Sequence, residues 1–318
     1  MTRVSGQSLS VAIITYGGVS HEMKSCLSSL QDQLRDEDRA IIVHEGSNSE
    51  FEKINELVSS YKISADCFPL TNSKGLSNGR NLAIDKCGTN WLAFVDDDAV
   101  LLEGWRESFE RGTIEYPDSA GFTGPIIPIY GNGTRKFPNE MEWIVSCESF
   151  GGKNDKIVRN GFGANMTINA NIARNFGIFF DPLFGAVGGT EGTALAGEEA
   201  IFSMKIREVS GKSIFWLHDM SVGHNVPESR TTLSYVLHRS IKEGKTKAII
   251  RKSEKINDSD NSSMSKEISH LLRTVFIGLP LQIVRFPVSP ISSLWNVTGI
   301  LTMIAGTALG FLFPAVMK

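Results

Sequence analysis

Asp96, Asp97 and Asp98 follow without a break on the apolar run Trp91-Leu-Ala-Phe-Val95. Carboxylates are seldom buried without a partner, so three of them at the end of a buried strand call for positive charge. In an open α/β sheet, ligands bind beyond the carboxyl ends of the strands. An oxygen-only cluster there suits a hard divalent cation, magnesium or manganese, which in turn holds the phosphates of a nucleotide. The plain alternative is an acidic turn that caps a helix beginning near Glu103.

The elements around the triplet decide what can meet it. Leu9 to Tyr16 reads as a strand of apolar and β-branched residues, and Met23, Cys26, Leu27, Leu30 and Leu34 then recur at helical spacing. Ala40 to His44 is a second buried strand, Phe51 to Tyr61 a helix, Asp66 to Leu70 a third strand, Ser77 to Lys86 a helix, Trp91 to Val95 a fourth strand and Glu103 to Glu115 a helix. This alternation over residues 9 to 127 predicts an α/β fold with a doubly wound, mainly parallel sheet. In such a sheet three strand ends converge: Thr15-Tyr16, Glu45-Gly46-Ser47 and Asp96 to Asp98. Glu45 can accept hydrogen bonds from a ribose or a base edge, although the same residues also make a plain turn. Gly75, a Ser77 cap and Arg80 fall in the first turn of a helix, and a helix N-terminus with a guanidinium suits a diphosphate.

Beyond Pro128 the alternation loosens into Gly- and Asn-rich stretches at 131–139 and 151–163, either functional loops or loosely specified insertions. A helix at Ala170 to Asn175, a helix starting near Glu198-Glu199 and a strand at Ser213 to Leu217 are expected to build on the same sheet, giving one domain over residues 1–252. Net charge is −3, so a global basic field for nucleic acid is not expected. Cys26, Cys67, Cys87 and Cys147 show no metal-binding spacing and read as reduced thiols. The polar first ten residues do not read as a secretory signal.

The C-terminal region differs in kind. His238 to Lys255 carries seven Lys or Arg against two Glu, attractive to anionic headgroups and biased to the cytoplasmic side. A polar linker at 253–270, an apolar segment at 271–289 that reads as interfacial or re-entrant, and an uncharged stretch at 296–317 long enough to span a bilayer follow.

Taken in order, Ile14-Thr15-Tyr16, Glu45-Gly46-Ser47, Gly75-Leu-Ser-Asn-Gly-Arg80-Asn81, Asp96-Asp97-Asp98, Gly163-Ala-Asn165, Phe180-Asp181, Glu198-Glu199 and Val222-Gly-His224 resemble glycosyltransferase family 2, which has the GT-A fold. The likeness covers about residues 9–252. Within the family, Phe180-Asp-Pro-Leu-Phe-Gly, Glu198-Glu199, His224-Asn-Val-Pro-Glu-Ser-Arg230 and Glu243-Gly-Lys-Thr-Lys-Ala are most similar to archaeal glucosyl-dolichyl phosphate glucuronosyltransferases. The resemblance implies an inverting, metal-dependent transfer from a nucleotide-sugar, UDP-glucuronate for that group, to a lipid-linked acceptor such as glucosyl-dolichyl phosphate, in glycan assembly for protein N-glycosylation. It implies an enzyme at the cell membrane with its catalytic domain on the cytoplasmic face.

Carried over by motif, Asp96 and Asp98 become ligands of Mn2+ or Mg2+, with His224 as a third. Asp97 then faces the donor ribose or sugar, and Thr15, Tyr16, Glu45, Ser47, Arg80, Asp96 and Asn165 bind the nucleotide-sugar. Glu198-Glu199 stands where the family usually has Glu-Asp, which makes Glu199 the general base and Glu198 its catalytic neighbour; outside the family, two acids at a helix start simply favour the dipole. His44-Glu45 replaces the usual Asp-Asp, and the Gln-x-x-Arg-Trp motif of processive synthases is missing, which argues against a polymerase. Three other readings stand beside this one. They are a family 2 enzyme acting on polyprenyl phosphate or a surface polysaccharide, a membrane-tethered binder without turnover, and a haloacid dehalogenase-like phosphatase suggested by Asp96-Asp97-Asp98-Ala99-Val100.

Overall fold

The computed structural model describes residues 7–71, 74–131, 134, 136–149, 152–184, 197–254 and 290–313, with single positions at 276, 280 and 284. Strands β1 (Leu9–Tyr16), β2 (Arg39–Glu45), β3 (Ala65–Pro69) and β4 (Trp91–Phe94) alternate with helices α1 (His21–Gln33), α2 (Asn48–Ser59) and α3 (Leu76–Lys86). β1 and β2 are near-continuous apolar runs because helices cover both sheet faces. Each helix start has a local cause. Ser20 accepts from the Met23 N–H at the head of α1, and Ser47 and Glu50 form a reciprocal capping box on α2. α3 instead begins at Gly75, whose φ of 100° is open only to glycine without strain.

After β4 come β5 (Ala99–Leu101), α4 (Trp105–Glu115), β6 (Gly121–Thr123), β7 (Ile126–Tyr130), β8 (Lys156–Val158), β9 (Met166–Asn169), α5 (Ala170–Asn175), α6 (Glu198–Ser210), β10 (Ile214–Trp216) and β11 (Val222–Val226). The main sheet runs β3-β2-β1-β4-β9-β6-β10-β8, and a small second sheet runs β5-β11-β7. β3, β2, β1 and β4 pair in parallel, as do β6 and β10. β9 runs antiparallel between β4 and β6, and β8 is an antiparallel edge on β10. The sheet is thus mainly parallel, as expected, with a reversed strand inserted beside β4. Its core joins Ile41, Leu92, Phe94, Ile168, Phe180 and Phe202, with the Phe180 and Phe202 rings stacked at 4.2 Å.

Two compact units divide the chain: residues 1–127 with 149–225, and residues 128–148 with 226–318. The second holds α7 (Leu233–Glu254) and α8 (Pro290–Leu312), which pack on each other. α7 groups with the apolar C-terminal helix, and the sheet-bearing unit runs to Asn225. Ser253 and Glu254 finish α7. The rest of the expected linker, and all of 271–289 apart from the single positions, lie outside the described residues.

Candidate active site

The acidic triplet is built by register. β1 pairs with β4 only as far as Ala12 and Phe94, and the Val95 N–H donates to the Ala12 carbonyl, so β1 continues past the end of β4 as a wall for the loop that follows. On that wall the Thr15 hydroxyl donates to Asp97 Oδ2 at 2.6 Å. The loop is closed by the Ala99 N–H on the Asp96 carbonyl, and β5 then pairs with β11, which sets His224 opposite Ala99. Asn225 donates its backbone N–H and its side-chain amide to the Asp98 carbonyl. His224 Nε2 comes to 3.2 Å from Asp98 Oδ1, on an imidazole that is 2% exposed.

One ligand atom each from Asp96, Asp98 and His224 lies within 4.8 Å of the others. Two carboxylates and an imidazole are a donor set that manganese accepts readily, and magnesium through its oxygens. The electrostatics agree. Burial raises Asp96 above the usual carboxylate range, Arg80 opposing and Asp98 adding to the rise. Burial, reinforced by Asp98 and Asp96 and opposed by the Thr15 hydrogen bond, pushes Asp97 up to about 6. The same burial and the same three acids hold the Cys26 thiol well above its ordinary value, so it stays protonated. A divalent cation relieves this crowding of like charge.

Arg80 links the triplet to α6. Its side chain is 2% exposed and donates from Nη1 to Glu198 Oε1 at 3.2 Å and to Glu199 Oε1 at 3.1 Å, while Nη2 lies 3.9 Å from Asp96 Oδ1. The Phe94 and Phe180 rings flank the guanidinium. Gly197, in the left-handed region, starts α6 so that Glu198 and Glu199 fall in its first turn. A Cβ at Gly163 would run into Glu199 Oε1 and Arg80 Nη2, so only glycine leaves this ion-pair cluster its space. Arg80, expected against phosphate, has its described contacts with carboxylates.

The remaining expected residues divide. Tyr16 and Glu45 are partners in the β1–β2 register, with the Tyr16 ring half exposed. Glu45 is buried and accepts the Gly75 N–H at 2.8 Å, while His44 Nε2 meets the Gly17 carbonyl, so this corner is tied down around α3's start. Ser47 spends its hydroxyl on the capping box at an exposed position. Asn165 is fully buried and acts as a brace: its Oδ1 accepts from Trp105 Nε1 and its amide donates to the Met220 and Pro125 carbonyls. The side chain expected to bind the donor is thus committed to holding the β9 end, the β11 approach and α4 together. Gly163, Asn225, Phe94 and Phe180 were not singled out as site residues. Gly163, Phe180 and Asn225 lie within the motifs quoted above, which was the signal available for them.

The mannosyltransferase PcManGT from Pyrobaculum calidifontis, in complex with GDP-Man and Mn2+, has this fold with a TM-score of 0.59 at 12% identity, over 98% of this chain and 88% of that one. GalNAc-T7, with UDP, GalNAc and Mn2+, gives a TM-score of 0.55 at 15% identity over 84% of this chain; the chain spans 55% of that longer protein. The fold is that of the GT-A class. At the level of sequence, the profile of Glycosyl transferase family 2 matches residues 10–179. Glucosyl-dolichyl phosphate glucuronosyltransferase of Haloferax volcanii is 24% identical over 246 residues, 76% of this chain and 77% of that protein. The chain belongs to glycosyltransferase family 2. With that, the phosphatase reading of the aspartates falls away.

Proposed function

We propose that the protein transfers a sugar, with inversion at the anomeric carbon, from a UDP-sugar to a lipid-linked acceptor at the cytoplasmic face of a membrane, with UDP-glucuronate and glucosyl-dolichyl phosphate as the favoured pair, in lipid-linked glycan assembly for N-glycosylation. The observation that carries this reading is the placement of Glu199 on one side of Arg80 and the Asp96, Asp98, His224 cluster on the other. The substrate pair is supported by the Haloferax volcanii relative.

Asp96, Asp98 and His224 would hold Mn2+ or Mg2+, which when bound neutralises charge growing on the leaving diphosphate. Glu199 accepts the proton of the acceptor hydroxyl as that oxygen attacks the anomeric carbon. Arg80 holds the Glu199 carboxylate in place and offsets the buried charge of Glu198, so the base does not have to be reoriented during the reaction. Thr15 fixes Asp97 toward the donor, and Tyr16 and Glu45 form the edge against which the nucleoside lies.

Membranes containing the protein, incubated with a panel of UDP-sugars, manganese or magnesium, and either glucosyl-dolichyl phosphate or polyprenyl phosphate, should yield a lipid one glycosyl unit heavier by mass. Asp98→Ala and Glu199→Gln should each lower the rate by about a hundredfold or more. Undiminished product from both variants would remove the site assignment, and product on polyprenyl phosphate alone would replace the acceptor.

A further inference from the structure

α8 holds a stretch, Ser293–Leu312, long and apolar enough to cross a bilayer, yet only a third of it is buried, so it is not the core helix of a soluble domain. Its buried side meets α7 backbone to backbone. A Cβ at Gly306 would lie 2.8 Å from Ser240 Cβ and 3.1 Å from the Leu237 carbonyl oxygen. One at Gly310 would run into the Ile241 carbonyl, and one at Gly244 into the Thr307 carbonyl. Glycine on both helices thus lets α7 residues 237–244 lie in direct contact with α8 residues 306–310.

That contact constrains where α8 can go. The hydrocarbon layer is about 30 Å thick and takes up about 20 helical residues, so a spanning α8 would use its whole apolar stretch. Residues 306–310 would then sit within the layer, and α7 would be drawn in beside them. But α7 carries Arg239, Lys242, Glu243 and Lys245 along this contact, and Lys247, Arg251 and Lys252 just beyond it. Charged side chains inside hydrocarbon are costly and are kept only where they are paired, so this many on one helix weigh against a path through the layer.

The other side of α8 is exposed and apolar: Leu294, Leu301, Leu309 and Leu312 recur at helical spacing, with Thr298 and Ala305 between them. α8 itself carries no charge, so the charge that would meet anionic headgroups lies on α7, while the exposed leucines of α8 would sit among the acyl chains. We infer that α8 does not span the membrane but lies along an anionic lipid surface, clamped there by α7. The inference rests on the membrane attachment proposed above. Its readouts are lipid binding and labelling, so its failure would leave the lipid-product assay unaffected.

The full-length chain is mixed with vesicles of phosphatidylcholine alone or with phosphatidylglycerol added, and sedimented. Binding should be at least tenfold stronger to the anionic vesicles and fall with salt. Leu301→Glu combined with Leu309→Glu should abolish it without lowering the thermal midpoint, since both positions are exposed. In sealed membrane vesicles from producing cells, Pro290→Cys and Lys318→Cys, in a Cys67→Ser background, should both react with an impermeant maleimide added from the side on which an N-terminal tag reacts. Protection of one of the two cysteines means a spanning helix and overturns the inference. Vesicle binding that survives the glutamates, or a self-association that they abolish in its place, overturns it as well.

Discussion

Arg80 is the residue on which the candidate site depends most, because it is a fully buried cation facing three acids. Removing one partner of a buried ion pair costs about 3–5 kcal/mol, since the charge left behind stays buried and uncompensated. Arg80→Met should therefore destabilise the protein by about that amount in urea unfolding, and adding Glu198→Gln should restore part of the loss. If the two substitutions were additive, the coupling inferred from the 3.2 Å contact would be wrong. Gly163→Ala tests the same cluster from its other side. The added methyl group pushes on Glu199 Oε1 and Arg80 Nη2, so kcat should fall by at least tenfold while KM for the donor changes less. Of these contacts the sequence announced Arg80 and Glu199 as separate residues with separate duties. Their meeting across 119 positions has no local signature, and the motif that contains Gly163 does not say that its glycine is kept for a carboxylate arriving from α6.

At the scale of elements, legibility follows the length of the apolar run. β1, β2 and β4 are continuous apolar segments between helices of clear period, so their order and parallel sense could be read directly. β8, β9 and β11 are three to five residues long and include Lys156, Thr167, Asn169, His224 and Asn225. Nothing in such segments distinguishes a strand from a loop, and the antiparallel insertion of β9 is a tertiary fact. The approach to β8 is likewise anchored by one carboxylate. Asp155 accepts from Arg111 of α4 at 2.6 Å and from His218 at 2.7 Å. Partial burial works to raise its pKa, but the hydrogen bonds from Arg111 and His218 outweigh it and bring Asp155 down to about 2. A folded-state value below the unfolded one means stability that is present above the unfolded carboxylate pKa near 4 and is lost as pH falls toward 2. Asp155→Asn should thus be less stable than the parent at pH 7. The gap, followed by urea unfolding as a function of pH, should close between about pH 4 and pH 2, and a gap unchanged down to pH 2 would rule out the carboxylate as its source.

For the whole molecule, the acidic cluster and the fold share one balance of charge. Without a cation the unit with the sheet holds Asp96, Asp97 and Asp98 against a single buried guanidinium among the described residues of the site, with burial raising Asp96 and Asp97 above their ordinary values. A ligand that binds only the folded state stabilises it by an amount set by its concentration over its Kd, about 2.7 kcal/mol at a hundredfold excess. Manganese should therefore raise the thermal midpoint by several degrees, and a UDP-sugar added with it should raise it further, because its diphosphate oxygens would be further donors for the ion. The increment should shrink as pH falls, because a ligating carboxylate must be deprotonated and burial raises Asp96 above its ordinary value. Asp98→Ala should abolish the manganese increment at every pH. His224→Ala should weaken it for manganese more than for magnesium, since only the softer ion gains from an imidazole. Equal midpoints with and without manganese at pH 7.5 would mean that Asp96, Asp98 and His224, close as they are, do not form a metal site.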